Sequence, residues 1–416
     1  MTALAQLREV PRTAFDPREI RREFPIFANN LGLVFLDSGA SAQKPRAVID
    51  GIAEYYRTDY ANIHRGVYAL SARSTDRFEA ARETVRRFLN ARDVSEIVFV
   101  RGATEGINLV AQSWGATFLG PGDELVISEL EHHANIVPWQ FLRERLGIKL
   151  VIAPIDAAGS LDLAAFEQCL TPRTKLVAIT HLANVTGHVV PVQEVVRIAH
   201  AHGAKVLLDG CQAVPRLIVD VRALDCDFYV FSGHKCYGPT GVGVLYGKRE
   251  ILNTMPPWQG GGDMIRTVSF AETTFQDPPY RFEAGTPDIS GVIGLDMALS
   301  FMDSIGRDSI QAHEEALTRY AVAQLAAMPG VKPVGAGHRQ LGAVSFEVEG
   351  IHPHDLATIF DQHNVAIRAG HHCAQPLMER LGLPATARAS FGIYSDEADV
   401  DALIRAVRAA QKIFGD

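Results

Sequence analysis

Seven stretches of strand length are apolar through their whole middle: EIVFV (96–100), ELVIS (124–128), KLVIAPI (149–155), KLVAIT (175–180), KVLLD (205–209), DFYVFS (227–232) and GVGVLY (241–246). A strand with one wet face alternates polar and apolar residues. Runs that do not alternate need cover on both faces, as helices give to a parallel sheet. Helical stretches separate them, so the expected fold is α/β, with a mainly parallel, seven-stranded sheet between helix layers. A chain of 416 residues also exceeds what one core of about 250–300 residues supports. We therefore expect a large domain over 30–300 and a smaller α+β domain built from 1–29 and 301–416.

The smaller unit is read from a change of pattern. A helix is expected over about 308–328, then the strand LGAVSFEV (341–348), the helix HDLATIFDQH (354–363), the strand VAIR (365–368) and a last helix from SDEADVDALIR onward. At the other end, Asp16-Pro17-Arg18-Glu19 predicts an N-cap, a proline at the first helical position and a capping-box glutamate, with a helix to about Phe24. PPWQGGGDM (256–264) and QDPPYRFEAGTPD (276–288) read as loops.

A net charge of −8 argues against a nucleic-acid surface and for a small-molecule substrate. Five cysteines, odd in number and without a CxxC pair, do not form a disulfide framework. MTALAQLREVPRTAFDP lacks the apolar core of a secretory leader, and no stretch approaches the roughly 18 apolar residues of a membrane span. A cytoplasmic setting without a membrane partner is expected.

KVLLD and FYVFSGHK each run from an apolar strand into polar residues, which puts Asp209 and Lys235 on the rim where open parallel sheets bind ligands. A lysine able to form a Schiff base and a carboxylate able to keep a pyridine nitrogen protonated are the two parts pyridoxal phosphate needs. Taken singly, Lys235 reads equally as a solvated loop lysine and Asp209 as a helix cap. Their neighbours favour the cofactor. Ser232 and His234 flank the lysine, and RGATEGIN (101–108) turns from a strand into a helix whose N–H groups and Thr104 hydroxyl suit a phosphate. GVGVLYG (241–247) has its third glycine one residue late for a dinucleotide fingerprint and is itself strand-like, so it is set aside.

In order along the chain, RGATEGINLVA, EHHANIVPWQ, VLLDGCQAV, SGHKCYGPTGVG, RFEAGTP and RAGHHCAQP resemble the SUF-type (type II) cysteine desulfurases, of the fold-type I, class V aminotransferase-like branch. The likeness runs from LDSGASAQKP (36–45) to RASFGIY (388–394), and HHC preceded by RxG is its most specific part. It implies a homodimer that converts L-cysteine to L-alanine, leaves sulfur as a persulfide on its own cysteine and passes it to an acceptor of the SufE or SufU kind. The resemblance makes Lys235 the cofactor lysine, Asp209 the partner of the ring nitrogen and Gln212 a donor to the ring's phenolic oxygen. Thr104, Ser232 and His234 would hold the phosphate, helped across the dimer by Thr286. His132 would stack on the ring and handle protons, Asn184 and Arg388 would hold the substrate carboxylate, and Cys373 would take the sulfur. Cys236, Ser395 and Ala103 depart from the family's usual residues.

The residues around Cys373 admit three readings. A zinc site is disfavoured because adjacent His371 and His372 point apart and no second ligand pair has finger spacing, so no metal is expected. A buried inert thiol suits Cys169, Cys211 and Cys226 better than Cys373, whose neighbours are polar and loop-forming. A nucleophile is the reading the cofactor motif supports, since the electron sink and the sulfur acceptor are needed together. A selenocysteine lyase is the nearest alternative. A transaminase or epimerase would have no use for Cys373, and a catalytically silent scaffold would have no use for the intact set.

Overall fold

A computed structural model describes residues 15–335 and 338–414. Of the N-terminal segment expected to join the smaller domain, residues 1–14 lie outside the described residues. Asp16 Oδ1 accepts the N–H of Arg18 at 2.9 Å and Pro17 opens the helix Pro17–Arg22, the cap that DPRE predicts. Glu19 does not complete the capping box; its carboxylate instead meets Arg22 at 2.8 Å on the exposed face. The helix stops at Arg22 because Phe24, preceding Pro25, is extended (φ −106°, ψ 99°), the conformation a following proline imposes. Phe24 packs edge-on against Tyr237 and Tyr394, and Arg21 pairs with Asp399 at 3.0 Å. This short segment thus contacts residues far apart in the chain.

A two-residue strand, β1 (Val34–Phe35), precedes the main sheet. Each apolar run then supplies one strand: β2 (Ile97–Val100), β3 (Glu124–Ser128), β4 (Lys149–Ala153), β5 (Thr174–Thr180), β6 (Lys205–Asp209), β7 (Phe228–Ser232) and β8 (Gly243–Gly247). Their order is β2-β8-β7-β6-β5-β3-β4, parallel from β7 through β4, with β8 antiparallel to both its neighbours. KVLLD shows why the runs do not alternate. Val206 and Leu208 enter the core on one face of the sheet and Leu207 the core on the other, each such side chain contributing roughly 1.5–3 kcal/mol on full burial. KLVIAPI departs from the expectation of two covered faces: β4 has a neighbour only in β3, its Lys149 is exposed and Ile152 is 46% exposed. The apolar helix Ile289–Ile305 packs into the core on the face of Val206 and Leu208, against Arg46–Thr58 and Ala69–Phe88.

PPWQGGGDM leads into a hairpin, β9 (Ile265–Val268) and β10 (Thr273–Phe275), where the sequence signalled only a loop. Beyond it, β11 (Val331–Pro333), β12 (Ala343–Val348), β13 (Val365–Ala366), β14 (Arg368–Gly370) and β15 (Thr386–Ser390) build the second unit. Its sheet has the order β11-β12-β15-β14, all antiparallel, with the helices Arg307–Ala326, Pro353–Gln362 and Glu397–Phe414 alongside. The expected single strand VAIR is two. Val365 and Ala366 pair with β1, whereas Arg368 turns to β15. Strand β15 itself, TARAS, was not anticipated, since it contains no apolar run; all five of its residues are nevertheless buried.

Among the described residues no single helix is long and apolar enough to cross a membrane.

Candidate active site

The carboxyl ends of β5, β6 and β7 meet at one rim. Thr180 is the register partner of Asp209, and Ser232 closes β7 immediately before the turn Gly233–Lys235. Opposite, the helix Ala103–Val110 starts at Gly102, whose φ of +157° only glycine adopts readily, and the Ala103 N–H donates to Ser232 Oγ at 2.9 Å. That close approach also explains GVGVLYG: a Cβ on Gly243 would lie 2.6 Å from Gly102 Cα and from the Phe231 carbonyl oxygen. The glycine is there for β8 to pass under the turn, not to hold a dinucleotide.

The rim and the second unit enclose a cavity of about 180 Å³ lined by Thr104, His132, Asn184, Asp209, Gln212, Ser232, His234, Lys235, Cys373 and Arg388. Every residue expected in the site is there except Thr286, which lines a separate cavity of about 410 Å³ with Arg101 and Trp258. Size does not locate the chemistry. The smaller cavity alone gathers an amine, a thiol, a carboxylate and guanidinium groups.

Asp209 is 5% exposed, and its one side-chain hydrogen bond among the described residues is accepted by Oδ1 from the Cys211 N–H at 2.9 Å. A buried carboxylate with so little compensation calls for a cationic partner. Lys235 is half-buried beside it, and its Nζ makes no hydrogen bond or ion pair among the described residues. At the phosphate end, helix register leaves the N–H groups of Thr104 and Glu105 without intrahelical acceptors, beside the exposed Thr104 hydroxyl. A protonated pyridine nitrogen, an aldehyde and a phosphate would satisfy these three groups. The donor set fits pyridoxal phosphate.

His132 caps the turn His133–Asn135: its Nδ1 accepts the Ala134 N–H at 3.1 Å, so the neutral ring carries its proton on Nε2. Burial, reinforced by the charge of Lys235, pulls its pKa down to about 4. Burial likewise takes His234 down to about 4, with Lys235 and Lys44 adding to it. Gln212 donates from Nε2 to the Gly39 carbonyl at 2.8 Å and accepts at Oε1 from Arg216 Nη1 at 3.0 Å. Arginine can only donate, which fixes the amide with its NH₂ group on the Gly39 side.

Cys373 sits on a short loop between β14 and the helix Gln375–Leu381. His372 and Cys373 are both left-handed, at φ 53° and 57°, a conformation that costs non-glycine residues energy and marks a fold-imposed site. The loop is pinned from three sides. Asn184 Nδ2 donates to the His372 carbonyl at 2.7 Å, the His133 N–H to the Cys373 carbonyl at 2.8 Å, and His372 Nε2 meets Thr386 Oγ1 at 2.9 Å. The donor of Asn184 is therefore engaged in holding the thiol loop, leaving its Oδ1 for a ligand. Arg388 is buried; Nη1 donates to the Asn184 carbonyl at 3.1 Å, and Nε has no partner among the described residues.

Sequence reasoning assigned no site role to Arg368 or Lys44 and weighed His372 only as a zinc ligand. Arg368 lines the cavity as the register partner of Arg388; its signal was the arginine of RxGHHC, read only as a flank. Lys44 donates to the Ala42 and His234 carbonyls at 2.5 and 3.0 Å, and burial takes its pKa down to about 8. No group of three or more His, Cys, Asp or Glu residues converges as for a metal among the described residues.

Comparison with known proteins bears on the same site. Residues 34–403 match the family model described as aminotransferase class-V. A cysteine desulfurase of Dickeya dadantii is 52% identical over 401 residues, covering 95% of this chain and 97% of that protein. The crystal structure of the Escherichia coli cysteine desulfurase CsdA superposes with a TM-score of 0.89 at 41% identity, over 97% of this chain and 100% of that one. A cysteine desulfurase from Thermococcus onnurineus gives a TM-score of 0.91 at 36% identity with the same coverage.

Proposed function

This chain belongs to the class-V aminotransferase family of pyridoxal-phosphate enzymes, among its cysteine desulfurases, and from that premise we propose that it converts L-cysteine to L-alanine and keeps the sulfur as a persulfide on Cys373. The observation that carries the proposal is the shared cavity: a pinned, partly exposed thiol opens onto the same 180 Å³ as Lys235 and Asp209. We place the activity in SUF-type iron–sulfur cluster assembly in the cytoplasm. The working unit would be a homodimer that hands sulfur to an acceptor of the SufE or SufU type. Relatives named cysteine desulfurase favour this reading over a selenocysteine lyase.

Pyridoxal phosphate, when bound, supplies an electron sink for negative charge at the substrate α-carbon. Asp209 would hold the proton on the ring nitrogen, and the second N–H of Gln212 Nε2 would donate to the phenolic oxygen. Thr104, Ser232, His234 and the free N–H groups at the helix start would hold the phosphate, with Thr286 serving the partner protomer's site. Lys235 Nζ would hold the aldehyde carbon and move the substrate's α-proton. Neutral His132, which lines the cavity, would handle protons through its Nε2. Arg388 would orient the substrate carboxylate and so aim the C–S bond. Cys373 would attack the substrate sulfur as a thiolate, forming the S–S bond as the C–S bond breaks.

Alanine release from L-cysteine, with a one-sulfur mass gain on the Cys373 peptide, tests the proposal. SufE-type and SufU-type acceptors added separately should differ, and the one that accelerates alanine release is the partner. A yellow, cofactor-loaded protein that releases no alanine from L-cysteine with either would overturn the desulfurase reading.

Asp209→Ala is expected to retain cofactor while losing about 10²–10³-fold in alanine production, the scale of removing one preorganised electrostatic group. Absorbance confirms loading and turnover measures the loss. Near-native activity would mean that another group keeps the ring protonated.

A further inference from the structure

Two guanidinium groups face the cavity from neighbouring strands, since Arg368 and Arg388 are direct register partners and both line it. One carboxylate balances them. Asp37 Oδ1 accepts from Arg388 Nη2 at 3.3 Å, while Arg368 has no ion pair among the described residues. Asp37 comes from far away in the chain. It follows β1 and bridges in parallel to Ser390, two residues beyond Arg388. Together with the Asn184 carbonyl it braces a side chain that is 2% exposed. Burial pulls Arg388 down to about 10 and raises Asp37, each partly countered by the other.

The charge count is then simple. Lys235 and Asp209 in the same cavity cancel, and two arginines with one aspartate then leave one uncompensated positive charge beside the substrate end, enough for one carboxylate.

We propose that Asp37 is a positioning and specificity residue, which braces Arg388 and cancels one of the two guanidinium charges so that the site takes amino acids with a single carboxylate and turns away those with a second acidic group. This rests on the reading that Arg388 holds the substrate carboxylate. Removing the charge of Asp37 would leave the two guanidinium groups with a net charge of two, so that an acidic side chain could be balanced as well as the α-carboxylate. Asparagine keeps an acceptor oxygen for Arg388, so it separates charge from bracing; alanine removes both.

The test uses cofactor-loaded wild type, Asp37→Asn, Asp37→Ala and Arg388→Met, with L-alanine and L-aspartate as probes and dissociation constants read from the visible absorption of the bound cofactor. Asp37→Asn should move the alanine-to-aspartate preference toward aspartate by about tenfold, the scale of one nearby unit charge in a partly screened site. Asp37→Ala should weaken alanine binding and raise KM for L-cysteine with little change in kcat. An Asp37→Asn preference ratio equal to the wild type's, in a panel where Arg388→Met loses alanine, overturns the role of Asp37 alone. Alanine binding unchanged in Arg388→Met overturns the carboxylate site itself.

Discussion

Cys373→Ser should bind pyridoxal phosphate and L-cysteine yet release alanine on the order of 10³-fold more slowly than the wild type or worse, as expected when a covalent nucleophile is removed. The peptide carrying residue 373 should gain no sulfur mass. Burial separates this thiol from the others. Cys226 and Cys236 are enclosed by apolar packing, and Cys211 lines the cavity but is 8% exposed; burial raises all three thiols, Cys211 to about 12 with the Asp209 charge adding to it. Cys169 lies by the edge strand near the Ile152 carbonyl, and burial raises it as well. Cys373 alone is partly exposed at the cavity on a pinned, left-handed loop. Cys211→Ser and Cys236→Ser are therefore expected to keep most activity. Selenocysteine should be the better substrate of Cys373→Ser, because selenium leaves more readily and depends less on attack by the protein. Wild-type rates with L-cysteine in that variant would remove Cys373 as the acceptor.

Lys235→Ala should lose about 10⁴-fold or more in turnover while folding normally. The amine serves both as the cofactor's anchor and as the carrier of the α-proton. Its Nζ makes no hydrogen bond or ion pair among the described residues, so its removal breaks none. Borohydride reduction of the wild type followed by peptide mapping should place the label on Lys235. The informative rival is Lys44, a half-buried amine beside the same turn whose pKa falls to about 8. Its Nζ is directed at the Ala42 and His234 carbonyls. A label there would overturn the assignment.

The sequence by itself determined the sheet and the ends of its strands. Burial on both faces is a property of consecutive residues, so KVLLD and DFYVFS announce their strands, and the polar residues after them must lie at the rim. Asp209 and Lys235 were legible for that reason, as was the turn at Gly102. Cys373 was marked by its polar, loop-forming neighbours. Tertiary structure decided which edge strand would be open to solvent, since EIVFV and KLVIAPI both end up at an edge of the sheet, yet β2 is buried throughout and β4 is partly exposed. It also decided β15, whose Thr, Arg and Ser side chains are buried because they hydrogen-bond or face the cavity, not because they are apolar. The settings of Arg388, Gln212 and Asn184 depend on Asp37, Gly39, Arg216 and His372, partners brought together from separate segments of the chain. Periodicity reports what a segment buries, whereas a polar side chain takes its direction from whichever distant donors and acceptors the packed fold sets beside it.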